Sequence, residues 1–233
     1  MTLIGTAVVT GASRGIGRAI ARRLAGAGAE VALWARDAAA LAEVEREIAA
    51  AGGRARAIVC DVTDPVAVER AAQLVRETMP PVSVVVNNAG AVLRKSTAEI
   101  SDAEWRRVMA VNADGTFYVT RAFLGDLRPG GRIINISSRA GREGTALLAA
   151  YCAAKHAIVG FTRALAEELR AAKVSVNAIC PGSVDTAMLR AGLPDARPDM
   201  TPDDIADTAL FLASPPPLGA PAALTGACID VYG

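Results

Sequence analysis

The stretch AVVTGASRGIG, residues 7–17, joins a short apolar run to a glycine-rich turn. The run is typical of a β-strand, and the pattern that follows it, residues 16–27, is typical of a helix. Glycines in such a turn let the backbone approach a phosphate, which the amides and the positive dipole end of the helix then bind. The stretch therefore predicts a strand, a phosphate-binding turn and a helix, with the turn glycines at Gly11, Gly15 and Gly17.

Two other interpretations of this turn were weighed. The general dinucleotide fingerprint G-x-G-x-x-G fails, because Ile20 stands three residues after Gly17. Residues 11–15 also match the G-x-S-x-G nucleophile elbow of serine hydrolases. A hydrolase of that kind needs a later histidine, usually on a loop, and the only histidine, His156, lies inside a helical pattern. The elbow would also come too early for that fold, so we interpret His156 as an ordinary helix residue.

Strands alternate with helices along the whole chain. The further predicted strands are residues 30–35, 53–60, 82–86, 132–137, 174–179 and 227–231. The predicted helices after the first are residues 38–50, 65–78, 102–123 and 203–213, with another beginning near Tyr151. This alternation without repeats predicts one α/β domain over residues 1–233, a doubly wound Rossmann fold with helices on both faces of a parallel sheet.

The composition excludes several classes of protein. With 233 residues and 52% hydrophobic content, the chain can bury a large core. The 25 Lys and Arg residues balance 24 Asp and Glu residues, so we expect neither nucleic acid nor a membrane surface as a partner. We see no signal sequence and no membrane-spanning run, and expect a cytoplasmic protein. The cysteines are too scattered for a zinc site or a disulfide framework: Cys60, Cys152, Cys180 and Cys228.

A second motif, Y-x-x-x-K, opens the helical pattern near residue 151. Tyr151 and Lys155 lie four residues apart, so both side chains project from one helix face. The same spacing continues through the apolar residues Ile158 and Leu165, which places a phenol and an ammonium on a buried stripe. Such groups are costly to desolvate without partners. Alone, the motif also fits an ordinary structural pair at a helix start.

The order of the motifs resembles the classical short-chain dehydrogenase/reductase family over essentially the whole chain. The shared motifs are TGASRGIG (residues 10–17), NNAG (87–90), Asn112, the serine after the fifth strand, Y-x-x-x-K, and P-G (181–182). In that family a Ser, a Tyr and a Lys, helped by an Asn, interconvert a carbonyl and an alcohol with a nicotinamide cofactor. The resemblance implies seven parallel strands and the catalytic residues Asn112, Ser138, Tyr151 and Lys155.

The resemblance also implies which residues bind the cofactor. They are Gly11, Ser13, Arg14, Gly15, Ile16, Gly17, Arg36, Asp61, Val62, Asn87, Ala89, Gly90, Tyr151, Lys155, Pro181, Gly182, Val184 and Thr186. Where an NAD enzyme of this family carries an acid after the second strand, this sequence has Ala35 and then Arg36. A guanidinium suits a 2′-phosphate, which an acid would repel. We therefore predict NADPH/NADP+, and we expect Asp37 to cap the next helix.

Three of these assignments keep a structural alternative. Asp61 could simply begin a turn. Asn87 could serve the turn in which it lies, and Asn112 could kink its helix without taking part in chemistry. A phenol has a pKa near 10, so we expect Lys155 to favour the phenolate of Tyr151.

The function implied by the resemblance is an NADPH-dependent carbonyl reductase that uses Tyr151 as general acid. Alternatives are an NAD-dependent alcohol or steroid dehydrogenase of the same fold and a non-catalytic dinucleotide-binding regulator. In the family, a mobile lid over the substrate follows the P-G motif, and residues 187–201 correspond to it here. Gly192 and two prolines in this segment predict a short lid. A short lid would leave the pocket open on one side, which favours 3-oxoacyl thioesters or another extended ketone as substrates. A stripe of small residues on the Tyr151 helix predicts a homotetramer or homodimer: Ala153, Ala157, Gly160 and Ala164.

Overall fold

Seven parallel strands form one sheet in the computed structural model, which describes residues 3–233. The strands are β1 (Thr6–Thr10), β2 (Glu30–Ala35), β3 (Arg54–Val59), β4 (Val82–Asn87), β5 (Arg132–Ile136), β6 (Ser175–Pro181) and β7 (Cys228–Val231). Their order across the sheet is β3-β2-β1-β4-β5-β6-β7. The predicted doubly wound parallel sheet is therefore confirmed, and every predicted strand lies within two residues of its observed bounds.

Eight α-helices cross between or follow these strands in the described residues. They are α1 (Gly15–Gly26), α2 (Ala38–Ala50), α3 (Pro65–Thr78), α4 (Asp102–Met109), α5 (Gly115–Phe123), α6 (Ala149–Glu168), α7 (Ala187–Gly192) and α8 (Pro202–Ala213). A π-helical turn, Ala110–Asp114, joins α4 to α5. The sequence predicted one continuous helix over this span, and the wider turn at its centre was not predicted. None of the helices in residues 3–233 is long and apolar enough to cross a membrane.

Each face of the sheet is covered by its own set of helices. On one face α1, α2 and α8 pack around fully buried residues such as Ile20 and Leu33. On the other face α3, α5 and α6 pack around Trp34 and Phe123, whose ring centroids are 5.6 Å apart. Central strands of such a sheet are covered on both sides, which explains why every residue of β1 and β5 is buried.

Local capping fixes where the helices begin. The Asp37 side chain accepts a hydrogen bond from the amide of Ala40, which confirms its predicted role as the cap of α2. Asp64 caps α3 in the same way, and Pro65 occupies the first helical position, where its missing N–H costs nothing. These caps explain why the predicted bounds of α2 and α3 match the structure.

The strand order places a crevice at the carboxyl ends of β1 and β4. The chain runs outward from β1 through β2 to β3 and then returns to β4 on the other side of β1. The loops that follow β1 and β4 therefore diverge, and open α/β sheets bind ligands at this point. The TGASRGIG and NNAG motifs of the sequence begin at the ends of these strands and continue into these loops.

Candidate active site

The two loops at the crevice are held together by Thr10 and Asn88. The Thr10 hydroxyl accepts hydrogen bonds from the amides of Asn88 and Ala89, at 2.9 and 3.0 Å. In return, Asn88 Nδ2 donates to the carbonyl oxygen of Thr10 at 2.9 Å. Sequence reasoning quoted Asn88 within the N-N-A-G motif but gave it no role. Its only signal was that an Asn-rich turn follows a buried strand.

The glycine-rich turn has the backbone shape expected of a phosphate cradle. Gly11 and Gly15 have positive φ angles of 63° and 54°, which a residue with a β-carbon rarely adopts. A β-carbon on Gly17 would overlap the Gly11 carbonyl oxygen, so α1 begins in close contact with the turn. The first amides of α1 have no partners within the helix, and they point out of its amino end toward the crevice. This arrangement fits the pyrophosphate of a dinucleotide.

The residues predicted to surround the adenosine half lie together beyond β2 and β3. Arg36 is exposed directly after β2, and its charge acts on Asp61, which follows β3. Burial opposes ionisation of Asp61, but hydrogen bonds from Thr63 and the charge of Arg36 hold its pKa below the usual value. The Asp61 carboxylate accepts from both the amide and the hydroxyl of Thr63, so the turn role that we left open is present.

Ser138, Tyr151 and Lys155 come together at the carboxyl end of β5. Ser138 follows the strand, its hydroxyl accepts a hydrogen bond from the amide of Ala140 at 3.1 Å, and it lies close enough to Tyr151 to affect the pKa of the phenol. Lys155 Nζ donates to the carbonyl oxygen of Ile136 at 2.8 Å and lies 5.6 Å from the centroid of the Tyr151 ring. Tyr151 is 8% exposed and Lys155 is 3% exposed. The pair therefore projects into a largely dry site, as the four-residue spacing predicts.

Burial dominates the ionisation of both groups. It raises the pKa of Tyr151 to about 12, and the Ser138 hydrogen bond offsets only part of this effect. It lowers the pKa of Lys155 to about 8. Lys155 is not among the groups that shift the pKa of Tyr151 here, so the expectation that it favours the phenolate stays a prediction. Tyr151 is thus a neutral phenol, which is the form of a proton donor.

Asn112 lies in the π-helical turn and is fully buried. Its Nδ2 donates to the carbonyl oxygens of Ala91 and Val108, both at 2.8 Å. Its Oδ1 is buried and has no partner among the described residues. A β-carbon on Gly90 would lie 2.9 Å from this Oδ1 and 3.6 Å from Lys155 Nζ. The free acceptor and the ammonium therefore border the same space beside Gly90.

Asn87, predicted to contact the cofactor, uses its amide nitrogen inside the protein. Nδ2 donates to Thr120 Oγ1 and to Asn135 Oδ1, both at 2.9 Å. The side chain thus links β4 to α5 and β5, a structural role different from the turn role that the sequence suggested. A cofactor contact by the rest of the residue stays a prediction.

The remaining predicted cofactor contacts lie on the same edge of the sheet. They are in the loops or first turns after β1, β3, β4 and β6: Ser13, Arg14, Ile16, Val62, Ala89, Gly182, Val184 and Thr186. Pro181 is the last residue of β6. The fold brings these residues to one edge, and their contacts to the cofactor stay predictions.

The segment after β6 folds over this edge. Thr186 caps α7, and its methyl carbon lies 3.4 Å from the β-carbon position of Gly15. Gly192, at the end of α7, packs against Val92, and Leu193 packs against the cluster that contains Tyr151. The lid is as short as predicted, a single helix of six residues. The open pocket that we expected beside this lid stays a prediction.

The fold and the Ser–Tyr–Lys arrangement are those of a doubly wound α/β oxidoreductase. The sequence profile of a family described as short chain dehydrogenase matches residues 5–196. The chain belongs to this family.

Its relatives act on different carbonyl and alcohol compounds. Galactitol 2-dehydrogenase (L-tagatose-forming) from Cereibacter sphaeroides is 42% identical over 97% of this chain and 93% of its own length. 3-Oxoacyl-[acyl-carrier-protein] reductase from Synechocystis sp. is 37% identical over 97% of this chain and 95% of its own. The crystal structure of an actinorhodin polyketide ketoreductase variant with NADPH has a TM-score of 0.90 at 34% identity, covering 100% of this chain and 98% of its own.

Proposed function

We propose that this protein is an NADPH-dependent carbonyl reductase that interconverts a ketone and a secondary alcohol. The proposal rests mainly on one observation. Ser138, a neutral Tyr151 and Lys155 lie together at the same edge of the sheet as the glycine-rich turn, whose backbone suits a phosphate. The 3-oxoacyl reductase and the NADPH-bound ketoreductase among its relatives support the same reaction type. Every residue that this chemistry needs is among those described above for the candidate active site.

The chain's own part in the reaction is to orient the carbonyl and to supply a proton. A bound reduced nicotinamide supplies the hydride, and that transfer is the cofactor's chemistry. The hydroxyls of Ser138 and Tyr151 donate hydrogen bonds to the substrate carbonyl oxygen. As negative charge develops on this oxygen, Tyr151 transfers its proton to it. The buried setting excludes water, which strengthens both hydrogen bonds.

Lys155 and Asn112 complete the path by which Tyr151 regains its proton. Lys155 Nζ keeps one contact to the Ile136 carbonyl, and its other N–H groups face the space beside Gly90. The unpartnered Oδ1 of Asn112 borders this same space. An ammonium next to a free acceptor suits a proton relay to solvent. Lys155 must be charged for this role.

The rate of carbonyl reduction should therefore fall as pH rises through about 8. The pKa of Lys155 is lowered to about 8, so its ammonium is present below that pH and is lost above it. Tyr151, with a pKa raised to about 12, keeps its proton throughout. The measurement is turnover at saturating NADPH and ketone across this range, with NADPH binding followed in parallel. A rate that stays constant well above pH 8 would remove Lys155 from the proton path.

Replacing Arg36 with alanine should weaken NADPH binding by about 1.5 to 3 kcal/mol, the loss of one charge-assisted contact to a phosphate. NADH lacks this phosphate, so its Michaelis constant should hardly change. Arg54→Ala is a suitable control. Arg54 is also an exposed arginine, but it lies at the amino end of β3, whereas Arg36 follows the carboxyl end of the neighbouring β2. The cofactor assignment would be wrong if the wild-type protein already prefers NADH.

We propose extended ketones, such as 3-oxoacyl thioesters, as substrates. The walls beside Tyr151 are apolar: Val92, Leu148 and Leu193. Apolar burial grows with the covered area, so these walls favour long or bulky compounds over acetone-sized ones. A chain-length series of 3-oxo compounds tests this, together with diketones, quinones and ketosteroids. Highest specific activity at the smallest ketone, with none at longer chains, would contradict it.

A polyol or alcohol oxidation is the second candidate. Galactitol 2-dehydrogenase covers nearly the full chain at 42% identity, and it oxidises an alcohol by name. The same residues serve this direction, with Tyr151 accepting the proton. Comparing galactitol and NADP+ or NAD+ with ketones and NADPH separates the two candidates.

We further propose that the protein self-associates through the outer faces of α5 and α6. Phe117 is exposed on α5 with the Arg121 guanidinium 4.9 Å from its ring centroid. Gly160 on α6 has nothing within 4 Å of its β-carbon position, so this face is open on the monomer. Small residues permit close helix packing. The resulting assembly would be a homodimer or homotetramer.

Gly160→Glu should therefore convert an oligomer into monomers, because it places a charge in the proposed contact without a clash in the monomer. Gly26→Glu is the matched control, since Gly26 is also exposed with open space around it but lies at the end of α1, on the other face of the sheet. Light scattering at micromolar concentration measures both. A wild-type protein that is monomeric there would reject the interface.

A further inference from the structure

Three consecutive residues at the end of β5 are joined to helix α6 by hydrogen bonds. Asn135 Nδ2 donates to Thr162 Oγ1 at 2.9 Å. Lys155 Nζ donates to the carbonyl oxygen of Ile136 at 2.8 Å. Ser137 Oγ donates to the carbonyl oxygen of Lys155 at 2.9 Å. The next residue in the chain is the active-site serine, so the strand that carries it is fixed to the helix that carries the tyrosine and lysine.

The direction of the Asn135 contact is also set. Asn87 Nδ2 donates to Asn135 Oδ1 at 2.9 Å, and Thr162 Oγ1 donates to the carbonyl oxygen of Ile158 at 2.8 Å. The hydroxyl of Thr162 therefore presents an acceptor to Asn135. If the Asn135 amide were rotated by half a turn, its Nδ2 would face Asn87 Nδ2, which is also a donor. Thr162 Oγ1 would then lose the donor that it has now. The arrangement in the structure gives Thr162 its donor, and among the atoms of this chain Asn87 Oδ1 has no partner in the described residues.

The surroundings leave these contacts little freedom to shift. Asn135 and Thr162 are 0% exposed, and Ser137 is 3% exposed. A β-carbon on Gly141 would overlap Ser137 Oγ and lie 2.7 Å from the Lys155 carbonyl oxygen. A buried polar atom that loses its partner cannot turn to water instead. Removing one hydroxyl here should therefore change the relative position of β5 and α6.

We propose that Asn135, Ser137 and Thr162 are positioning residues that hold Ser138 in register with Tyr151. None of the three needs to touch substrate. Thr162 lies about two helical turns beyond Lys155 on α6. The inference rests on the proposed function, because it assigns these residues to the geometry of that reaction. Displacing a catalytic group by about 1 Å can lower turnover by about 100-fold.

A changed register would alter the ionisation of Lys155 as well as the rate. The groups that face Lys155 are Tyr151 on its own helix and Cys180 on β6. The Ile136 carbonyl oxygen accepts a hydrogen bond from the Lys155 ammonium, and this bond favours the charged form. Loss of register should weaken the bond and lower the pKa of Lys155 further. In carbonyl reduction, the fall in rate should then begin at lower pH.

The test compares Thr162→Val with Thr162→Ser. Valine keeps the shape of threonine and removes the hydroxyl, whereas serine keeps the hydroxyl. For Thr162→Val we expect a turnover about 10- to 100-fold lower, with the Michaelis constant for NADPH within about twofold of wild type. We also expect its pH profile for carbonyl reduction to move to lower pH. Thr162→Ser should restore both turnover and the pH profile.

A matched control is available at the opposite end of the sheet. Thr6 is also fully buried, and its hydroxyl donates to the Pro80 carbonyl oxygen at 2.6 Å. Thr6→Val should leave turnover and the pH profile unchanged. Should Thr162→Val fail to fold, Ser137→Ala carries the test, because it removes the bond to the Lys155 carbonyl and should produce the same rate loss and pH shift.

Folded Thr162→Val and Ser137→Ala proteins with wild-type turnover would overturn the proposal. A rate loss with an unchanged pH profile that Thr162→Ser does not restore would also overturn it, because that result indicates a structural role only. A wild-type protein that acts on no ketone or alcohol contradicts the proposed function and removes this proposal with it. An active wild type with unaffected variants contradicts this proposal alone.

Discussion

Tyr151→Phe is expected to lower turnover by at least about 100-fold, the usual contribution of general acid catalysis. The substitution removes the only phenol hydroxyl that meets Ser138 in the site. The ring itself, packed against Ala140 and Leu148, stays in place. Steady-state turnover with NADPH and the best ketone measures the effect.

The matched control for this prediction is Tyr118→Phe. Tyr118 is a partly buried tyrosine on α5 whose ring lies beside Phe117, on the outer side of the helix layer. This change should leave turnover close to wild type. NADPH binding should survive in both variants, because neither glycine motif is altered. A folded Tyr151→Phe protein with near-full activity would exclude Tyr151 as the proton donor.

Gly17→Ala should disrupt the cofactor cradle. The new methyl group would overlap the Gly11 carbonyl oxygen and Asn88 Nδ2, the group that holds the two crevice loops together. Backbone must shift to relieve this overlap, at a cost of about 1 to 3 kcal/mol in stability. Because the shift moves the amides that receive the pyrophosphate, we expect NADPH affinity to fall by at least about tenfold. Thermal unfolding and a binding titration measure the two effects.

Gly26→Ala is the control for this prediction within the same helix. Gly26 is the last residue of α1, and nothing lies within 4 Å of its β-carbon position. Alanine there should leave NADPH affinity unchanged and raise stability by up to about 1 kcal/mol. Equal losses in both variants would indicate that the Gly17 contacts are not what the turn requires.

Local chemistry explains how much of the fold was predictable. Asp64 followed by Pro65, and Asp37 before an alanine-rich stretch, are strong starting signals for helices, so α2 and α3 were placed without error. The catalytic motif was equally local, because Tyr151 and Lys155 lie on one helix face at a fixed spacing. Features of this kind need only a few neighbouring residues to be recognised.

Features that depend on distant contacts were not predictable. The π-helical turn around Asn112 follows from how that span packs, including Gly115 against Val62, and a helical sequence pattern does not reveal it. The Asn135–Thr162 contact joins residues 27 positions apart. The high pKa of Tyr151 depends on burial in a cluster to which Val92 and Leu193 contribute from other parts of the chain. Each of these requires the assembled core.

Transfer of deuterium from NADPH labelled at the reactive carbon of its nicotinamide ring tests the central claim most directly. The labelled cofactor and an extended 3-oxo compound are incubated with the wild-type protein, and the product is examined by mass spectrometry. The account predicts one deuterium at the carbon that was the carbonyl carbon, formed at a rate that Tyr151→Phe lowers by at least about 100-fold. A protein that binds NADPH yet transfers no label to any ketone of the panel would contradict the account.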